Sequence, residues 1–274
     1  MLMGMQLRPH YPSEYGNHFD TMLKVVQTCE KAGLNSVFMA DHFMFADVEH
    51  PENSTPILEA FVTLGALATA TTKIRLGQLV VGVPYRNPAL VAKMASTLDV
   101  ISHGRSIVGL GAAWHEPEFT AYGWPFPPLK ERMEMLEEAA QIVNLMLTQS
   151  PATFSGKHYS ISNAFNDPQP VQKPRPPIMI GGSGERVTLK LVAKYADFCN
   201  VGGDPSTVAQ KYNVLQQHCE AVGRPFSEIT LCNNIGIVLA QNEAELERKK
   251  SKYPNFGDIQ GTPEMLVDLL AEYA

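Results

Sequence analysis

The run IMIGGSGERVTLKLVAKYAD carries the most legible chemistry of this chain. A short apolar strand (Ile178, Met179, Ile180) enters the small residues Gly181, Gly182, Ser183 and Gly184. An amphipathic helix is expected from Glu185, with Leu189, Val192, Ala193 and Ala196 on one face. Such a turn leaves backbone N–H groups free near the positive end of the helix dipole, and glycine lets a ligand approach closely. A phosphate suits that place. Val187 stands where a dinucleotide fingerprint needs its third glycine, and no Gly-Lys-Ser/Thr follows, so neither common phosphate motif is present. A tight strand-to-helix turn without a ligand explains the segment equally well.

The second candidate is Asp41-His42, closing the strand-like NSVFMADHF. Histidine titrates near neutrality and suits proton transfer, although a strand-end histidine that caps or packs is the plainer alternative. His10, His115 and Glu116 are further candidates, each weak alone. His103, in a Ser-His-Gly-Arg turn, is read as structural; His18, His50, His158 and His218 are read as surface or loop residues. No His-x-His or His-Glu-x-x-His spacing is present, so no metal site is expected. No lysine stands at a strand end, which disfavours Schiff-base chemistry, and Ser183 lacks the nucleophile-elbow pattern.

The elements that must position these groups alternate strand and helix throughout. Met3 to Leu7, Asn35 to Ala40, Ile74 to Val83 and Ser106 to Gly111 are strands, interleaved with helical spacings at Phe19-Met22-Leu23-Val26, Ile57-Ala60-Phe61-Leu64 and Val91-Met94-Ala95-Leu98. A long loop rich in Pro and aromatics leads to a helix containing Leu136, Ala139, Ala140 and Val143. Residues 150–177 form an excursion with short strands. The alternation resumes at Ile178, with strands near Phe198 to Val201 and Ile229 to Leu239, helices over Thr207 to Ala221 and Asn242 to Lys250, and a last helix capped by Thr262 with Pro263 at its first position. About seven such units predict a parallel sheet closed as a single-domain α/β barrel over residues 1–274, of the (β/α)8 kind, with chemistry at the strand C-terminal ends. The chain stops where an eighth strand should begin, so the last unit is expected to be missing from it.

The 274 residues are 45% hydrophobic and 18% charged, an ordinary globular profile. A formal net charge of -6 and the lack of basic runs argue against a nucleic-acid partner. No apolar stretch is long enough for a bilayer, and Met1 opens no signal peptide, so neither membrane nor export is expected. Cys29, Cys199, Cys219 and Cys232 are scattered and are expected to be reduced thiols of a cytoplasmic protein.

Taken together, GLNSVFMADHF (Gly33 to Phe43), the segment Ile74 to Arg105, GLGAAWHEPEFTAYGWPFPP (Gly109 to Pro128), QPVQKPRPPIMIGGSGE (Gln169 to Glu185) and YADFCNVGG (Tyr195 to Gly203) resemble the luciferase-like monooxygenase superfamily, in particular its branch dependent on the deazaflavin coenzyme F-420. The resemblance covers nearly the whole chain. It implies a TIM barrel binding F-420, or FMN as the alternative, at the strand C-terminal ends. It implies that Asp41 and His42 lie beside the cofactor ring as catalytic and binding groups. It places a non-prolyl cis peptide at Leu79–Val80, or one bond later, as the backing of the ring. It assigns Ala112 and Ala113 to the ring or its ribityl chain, and Gly181, Gly182, Ser183 and Gly184 to the phosphate, completed by Asn200, Val201 and Gly202. Relatives of this kind are often dimers, so a homodimer is an expectation too.

One departure stands out. In the sugar-phosphate dehydrogenases of this group a proton-active glutamate follows the small residues of the fourth strand; here Trp114 takes its place, and Glu116 is close but not aligned. The resemblance therefore implies hydride transfer between the deazaflavin and a small organic substrate, with a sugar phosphate disfavoured. An FMN-dependent monooxygenase is the alternative, and a non-redox phosphate-binding barrel a third. His10, Trp114, His115 and Glu116 are the expected substrate side. Trp114, Tyr122, Trp124, Phe126, Tyr85 and Phe45 either wall a pocket or pack their loop onto the barrel.

Overall fold

Near-continuous apolar strands, each followed by an amphipathic helix, demand a parallel sheet covered by helices. The computed structural model has that arrangement; it describes residues 2–7, 17–45, 55–252 and 257–273. His10 and His50 lie outside the described residues. The chain groups into two compact units, one of Leu2–Gly181 with Tyr195–Asp197, the other of Gly182–Lys194 and Phe198–Ala274.

In the first unit the strands are β1 (Gly4–Gln6), β2 (Ser36–Met39), β3 (Arg75–Gln78), β4 (Val81–Gly82), β5 (Ser106–Gly111) and β8 (Ile178–Gly181). They pair in parallel in the order β1-β2-β3-β5-β8, with β4 also on β5. Between them run α1 (His18–Lys31), α2 (Ala60–Thr69), α3 (Pro88–Ile101), α4 (Glu116–Ala121) and α5 (Leu129–Thr148). Strand alternation sends Val37, Met39 and Leu76 into one buried cluster with Met22 and Val26 of α1 and Leu64 and Leu67 of α2. The intervening Phe38 lies over glycine: a Cβ on Gly77 would sit 3.1 Å from its ring. The excursion is an antiparallel hairpin of β6 (Ala152–Ser155) and β7 (Ser160–Ala164).

The third strand departs from the continuous run expected over Ile74 to Val83. It breaks into β3 and β4, and the Leu79–Val80 bond between them is cis. Val80 is received by glycines. A Cβ would lie 2.4 Å from Val80 at Gly111, 2.8 Å at Gly181 and 3.1 Å at Gly109. Gly181 thus has a packing reason for lacking a side chain, independent of any phosphate.

At the opposite, helix-to-strand side, Ser102-His103-Gly104-Arg105 forms the turn expected of it. His103 and Gly104 both take positive φ. Arg105, 9% exposed, donates to the carbonyls of Ala68, Thr71, Ile74 and Ser102 and to the Thr71 hydroxyl. Asp99, fully buried, accepts from the Ser106 hydroxyl and from the Gln172 amide and side chain.

The second unit holds α6 (Thr188–Tyr195) up to Lys194, β9 (Phe198–Val201) parallel to β10 (Thr230–Asn233), and β11 (Ile237–Leu239) parallel to β12 (Ile259–Gly261), with α7 (Pro205–Val222), α8 (Glu243–Lys252) and α9 (Pro263–Ala271). α7 opens at Asp204, whose carboxylate accepts from the Thr207 amide, and closes on left-handed Gly223. Three expectations shift here. The strand over Ile229 to Leu239 is split, because the Gly236 amide and carbonyl turn to Asp258 and Ile259. Thr262 occupies the N-cap position of α9 without a capping hydrogen bond from its side chain. α6 begins at Thr188 rather than Glu185, since the Leu189 amide reaches back five residues to the Gly184 carbonyl and residues 185–187 form a wider turn.

Arg105→Met should destabilise the protein by at least ~3 kcal/mol, because several buried carbonyls lose their donor at once. Urea denaturation followed by circular dichroism checks this; a loss below ~1 kcal/mol would show that the turn does not depend on the guanidinium.

Candidate active site

The C-terminal end of β2 delivers Asp41 and His42 side by side, and the structure separates their work. Asp41 is 3% exposed. Its Oδ2 accepts from the Gly82 amide at 3.2 Å and from Arg86 Nη1 at 2.6 Å. Arg86 Nη2 continues to Glu59 Oε1 at 2.7 Å, and the guanidinium lies over the rings of Phe43 and Phe61. Burial pushes the Asp41 carboxyl up to about 6 against the opposing pull of Arg86 and the Gly82 amide. Asp41 is therefore engaged in holding the β4 exit to the β2 exit.

His42 Nδ1 lies 2.9 Å from Glu118 Oε2. Tyr85 Oη donates to that same oxygen at 2.6 Å, and the amides of Phe43 and Met44 donate to Oε1 at 2.5 and 2.9 Å. Glu118 has no exposed side-chain surface, whereas His42 keeps 14% of its own. Burial pushes the Glu118 carboxyl up, but Tyr85, the Met44 amide, His42 and the Phe43 amide outweigh it and hold it below the usual glutamate range. Burial, reinforced by Glu118, pushes the Tyr85 hydroxyl up, so it remains a donor.

Local sequence explains how these groups meet. Tyr85 follows Pro84 in a 3-10 turn, Val83–Tyr85. Gly82 has no Cβ to strike the Tyr85 ring, which would lie 2.4 Å from it. Glu118 sits on the short helix α4, with Pro117 in its first turn, and shares the buried face with Phe119. Sequence reasoning passed over Glu118, Tyr85 as a hydrogen-bond donor, Arg86 and Glu59. A signal was present at Glu118: in HEPEFTAY the Pro marks a helix start, and a carboxylate beside Phe119 and one turn before Tyr122 lies on an apolar face.

The aromatic residues divide into two sets. Phe43, Tyr85, Phe119, Tyr122, Trp124 and Phe126 pack on one another, with Tyr85 stacked on Phe119 at 4.6 Å and Tyr122 on Trp124 at 4.8 Å. They fasten the loop after β5 to the sheet of the first unit. Phe45, Trp114 and His115 instead surround the His42 ring, at 4.5, 5.5 and 5.9 Å between centroids. Trp114 is 65% exposed and Glu116 is exposed as well. Ala112 and Ala113 lie just past β5; Ala113 adopts φ 59°, a left-handed conformation that costs a side-chain-bearing residue ~1 kcal/mol. Arg132 of α5 holds that bend by donating to the Ala112 and Ala113 carbonyls while stacking on Phe126.

In the second unit the Gly182 amide donates to the Asn200 carbonyl at 3.1 Å, and the Asn234 amide to the Val201 carbonyl at 2.9 Å. Gly182 has φ 122°, which side chains rarely adopt. Gly182, Ser183 and Gly184 are exposed, Gly202 is half-buried, and among the described residues the Ser183 and Gly184 amides carry no hydrogen bond. Two free amides on a turn without bulky side chains fit a phosphate. Among the described residues no cluster of His, Cys, Asp or Glu is arranged to hold a metal, and no helix is long and apolar enough to cross a membrane.

Parallel βα order, a third strand broken at a cis bond and a histidine at the end of the second strand are features that the resemblance to luciferase-like proteins implied. Residues 2–272 match the family model described as luciferase-like monooxygenase, and the chain belongs to that family. It is 30% identical over 220 residues, 79% of its length, to the F-420-dependent glucose-6-phosphate dehydrogenase of Kineococcus radiotolerans. It is 28% identical over 209 residues, 74% of its length, to the pyrimidine monooxygenase RutA of Acinetobacter baylyi. The matches span 63% and 55% of those two relatives. Among solved structures, the coenzyme F-420 dependent tetrahydromethanopterin reductase of Methanopyrus kandleri superposes with a TM-score of 0.81 at 19% identity, over 99% of this chain and 89% of that one.

Glu118→Gln should cost ~1–3 kcal/mol at neutral pH through weakened charge-assisted hydrogen bonds. A carboxyl held low in the folded state contributes stability that is present above its unfolded value of about 4.3 and lost as pH falls through the folded value. The gap between wild type and variant in thermal melts should therefore be widest near pH 7 and shrink below pH ~4. A gap independent of pH would show that the charge is not what stabilises.

Proposed function

We propose that this chain is an oxidoreductase transferring a hydride between the deazaflavin coenzyme F-420 and a small organic substrate other than a sugar phosphate. The observation that carries the reading is His42, anchored through Nδ1 at a strand C-terminal end with aromatic neighbours around its ring. When bound, the deazaflavin would supply the hydride-accepting or hydride-donating carbon. The protein's own groups would do the rest. His42 would take or return the proton that accompanies oxidation or reduction of a substrate oxygen. Leu79, Val80, Ala112 and Ala113, all half-buried, would border the ring in the first unit. In the second, the Ser183 and Gly184 amides would hold a phosphate. Asp41 would keep its place through Arg86 rather than exchange protons.

Support comes from the F-420-dependent dehydrogenase among the relatives and from the Asp41-His42 pair that the resemblance assigns to that branch. Trp114, exposed beside His42 in the place of the dehydrogenases' glutamate, is the reason to set sugar phosphates aside. The pyrimidine monooxygenase relative supports a second reading, an FMN-dependent oxygenation on the same scaffold. Fluorescence titration of the purified protein with F-420 and with FMN, followed by an oxygen electrode with each reduced cofactor, separates them. F-420 binding with no oxygen consumption is expected; tight FMN binding with substrate-dependent oxygen uptake would replace the first reading by the second.

His42→Ala should leave the fold intact and lower turnover by about two orders of magnitude. Wild-type kinetics in a folded variant would remove His42 from the mechanism. Gly182→Asp should abolish cofactor binding, because its carboxylate would stand where a phosphate is proposed to lie. Gly182→Ala shares the backbone strain at φ 122° but not the charge, so it should only weaken binding. Equal losses in the two variants would attribute the effect to strain.

A further inference from the structure

The four contacts at Glu118 restrict where protons can be. Backbone amides only donate, so Phe43 and Met44 require Glu118 Oε1 to be an acceptor. The Tyr85 hydroxyl keeps its proton and spends it on Oε2. A carboxylate that receives three donors in a buried place is ionised, and its remaining contact, 2.9 Å to His42 Nδ1, is then made by an N–H. A neutral imidazole carries a single proton. With Nδ1 protonated, Nε2 holds the lone pair, and among the described residues Nε2 has no hydrogen-bond partner.

We propose that Glu118 is a positioning residue that fixes His42 as the Nδ1–H tautomer and so makes Nε2 the atom that exchanges a proton with substrate. The last clause rests on the oxidoreductase reading above; the tautomer itself does not. In the oxidative direction Nε2 would take the substrate O–H proton and hold it on the imidazolium, while a bound deazaflavin would supply the acceptor for the hydride that leaves the adjoining carbon, so that the substrate carbon is oxidised by two electrons. Glu118 then stabilises the imidazolium without taking its proton, since its own oxygens are filled by donors. Phe45, Trp114 and His115 restrict rotation of the ring about the bond that Glu118 defines.

The test uses the whole chain, free of cofactor and labelled with ¹⁵N-histidine. Long-range ¹H–¹⁵N spectra are recorded over a pH series, and the tautomer is read where one ring nitrogen is protonated and the other pyridine-like. In wild type, His42 should show Nδ1 as the protonated nitrogen and Nε2 as the pyridine-like one. Glu118→Gln keeps a carbonyl oxygen for the Phe43 and Met44 amides but can turn an amide N–H toward Nδ1; the two resonances should then exchange character, and turnover should fall at least ~100-fold with cofactor affinity unchanged. Tyr85→Phe removes one donor and should preserve the wild-type tautomer. A wild-type ring protonated at Nε2, or an unchanged tautomer in folded Glu118→Gln, overturns the proposal. Should Glu118→Gln fail to fold, the wild-type and Tyr85→Phe spectra still decide. Because these spectra need no cofactor, failure of the deazaflavin reading would appear in the fluorescence titration and leave the tautomer result standing.

Discussion

A single buried negative charge organises one end of the sheet. Burying a carboxylate costs several kcal/mol unless its oxygens are filled, and the chain fills those of Glu118 from three directions. The β2 exit supplies the Phe43 and Met44 amides and His42; the 3-10 turn after β4 supplies Tyr85; the short helix α4 brings the carboxylate itself. Neighbours follow from the same constraint. Phe119, adjacent to Glu118, stacks on Tyr85, and Phe43, adjacent to His42, joins the aromatic group that ties down the loop after β5. The functional candidate and the packing of the loop therefore share one anchor, and neither can be altered without reference to the other.

A second buried charge runs parallel to the first. Asp41 and His42 are adjacent in sequence, but successive residues leaving a strand point to different sides, and each finds its own counterpart. Asp41 takes Arg86 and, through it, Glu59; His42 takes Glu118. The adjacent pair thus splits into a group that fixes the loop between β4 and α3 and a group with an accessible ring. Arg86 also covers Phe43 and Phe61, so this ion pair is itself roofed by aromatic surface.

Much of this was legible in the sequence, and the limits have physical causes. The βα rhythm was legible because buried parallel strands are apolar on both faces and their helices keep a strict period; β2, β5, β8 and β9 lie within a residue or so of their expected places. The cis bond stands at Leu79–Val80, the first of the two places that the resemblance implied. What escaped was whatever depended on contact between distant segments. The break of the third strand is imposed by how Val80 meets Gly109, Gly111 and Gly181, none of which is near it in sequence. Glu118 was passed over in a segment read as a loop rich in Pro and aromatics, since nothing local says that the Phe43 and Met44 amides will converge on it. Thr262 shows the reverse error: the local signal for a cap was right in position, yet its hydroxyl makes no capping bond. Trp114, weighed together with Tyr122 and Trp124, turned out to belong to a different set, because sorting aromatics into wall and filler needs their neighbours across space.

The glycines around Val80 also bear on how such a chain can be recombined. A side chain at Gly109 would come within 2.0 Å of the Gln78 carbonyl, and one at Gly111 within 2.4 Å of Val80. Neither contact can be relieved by a rotamer change at a flexible tip, since the first meets backbone and the second a β-branched stem. β3, β4, β5 and β8 are consequently compatible only as a matched set. A chimera that imported a fifth strand bearing alanine at either position would have to import its third strand as well, so the natural crossover points for building hybrids of this fold lie before Arg75 or after Gly181, not between them.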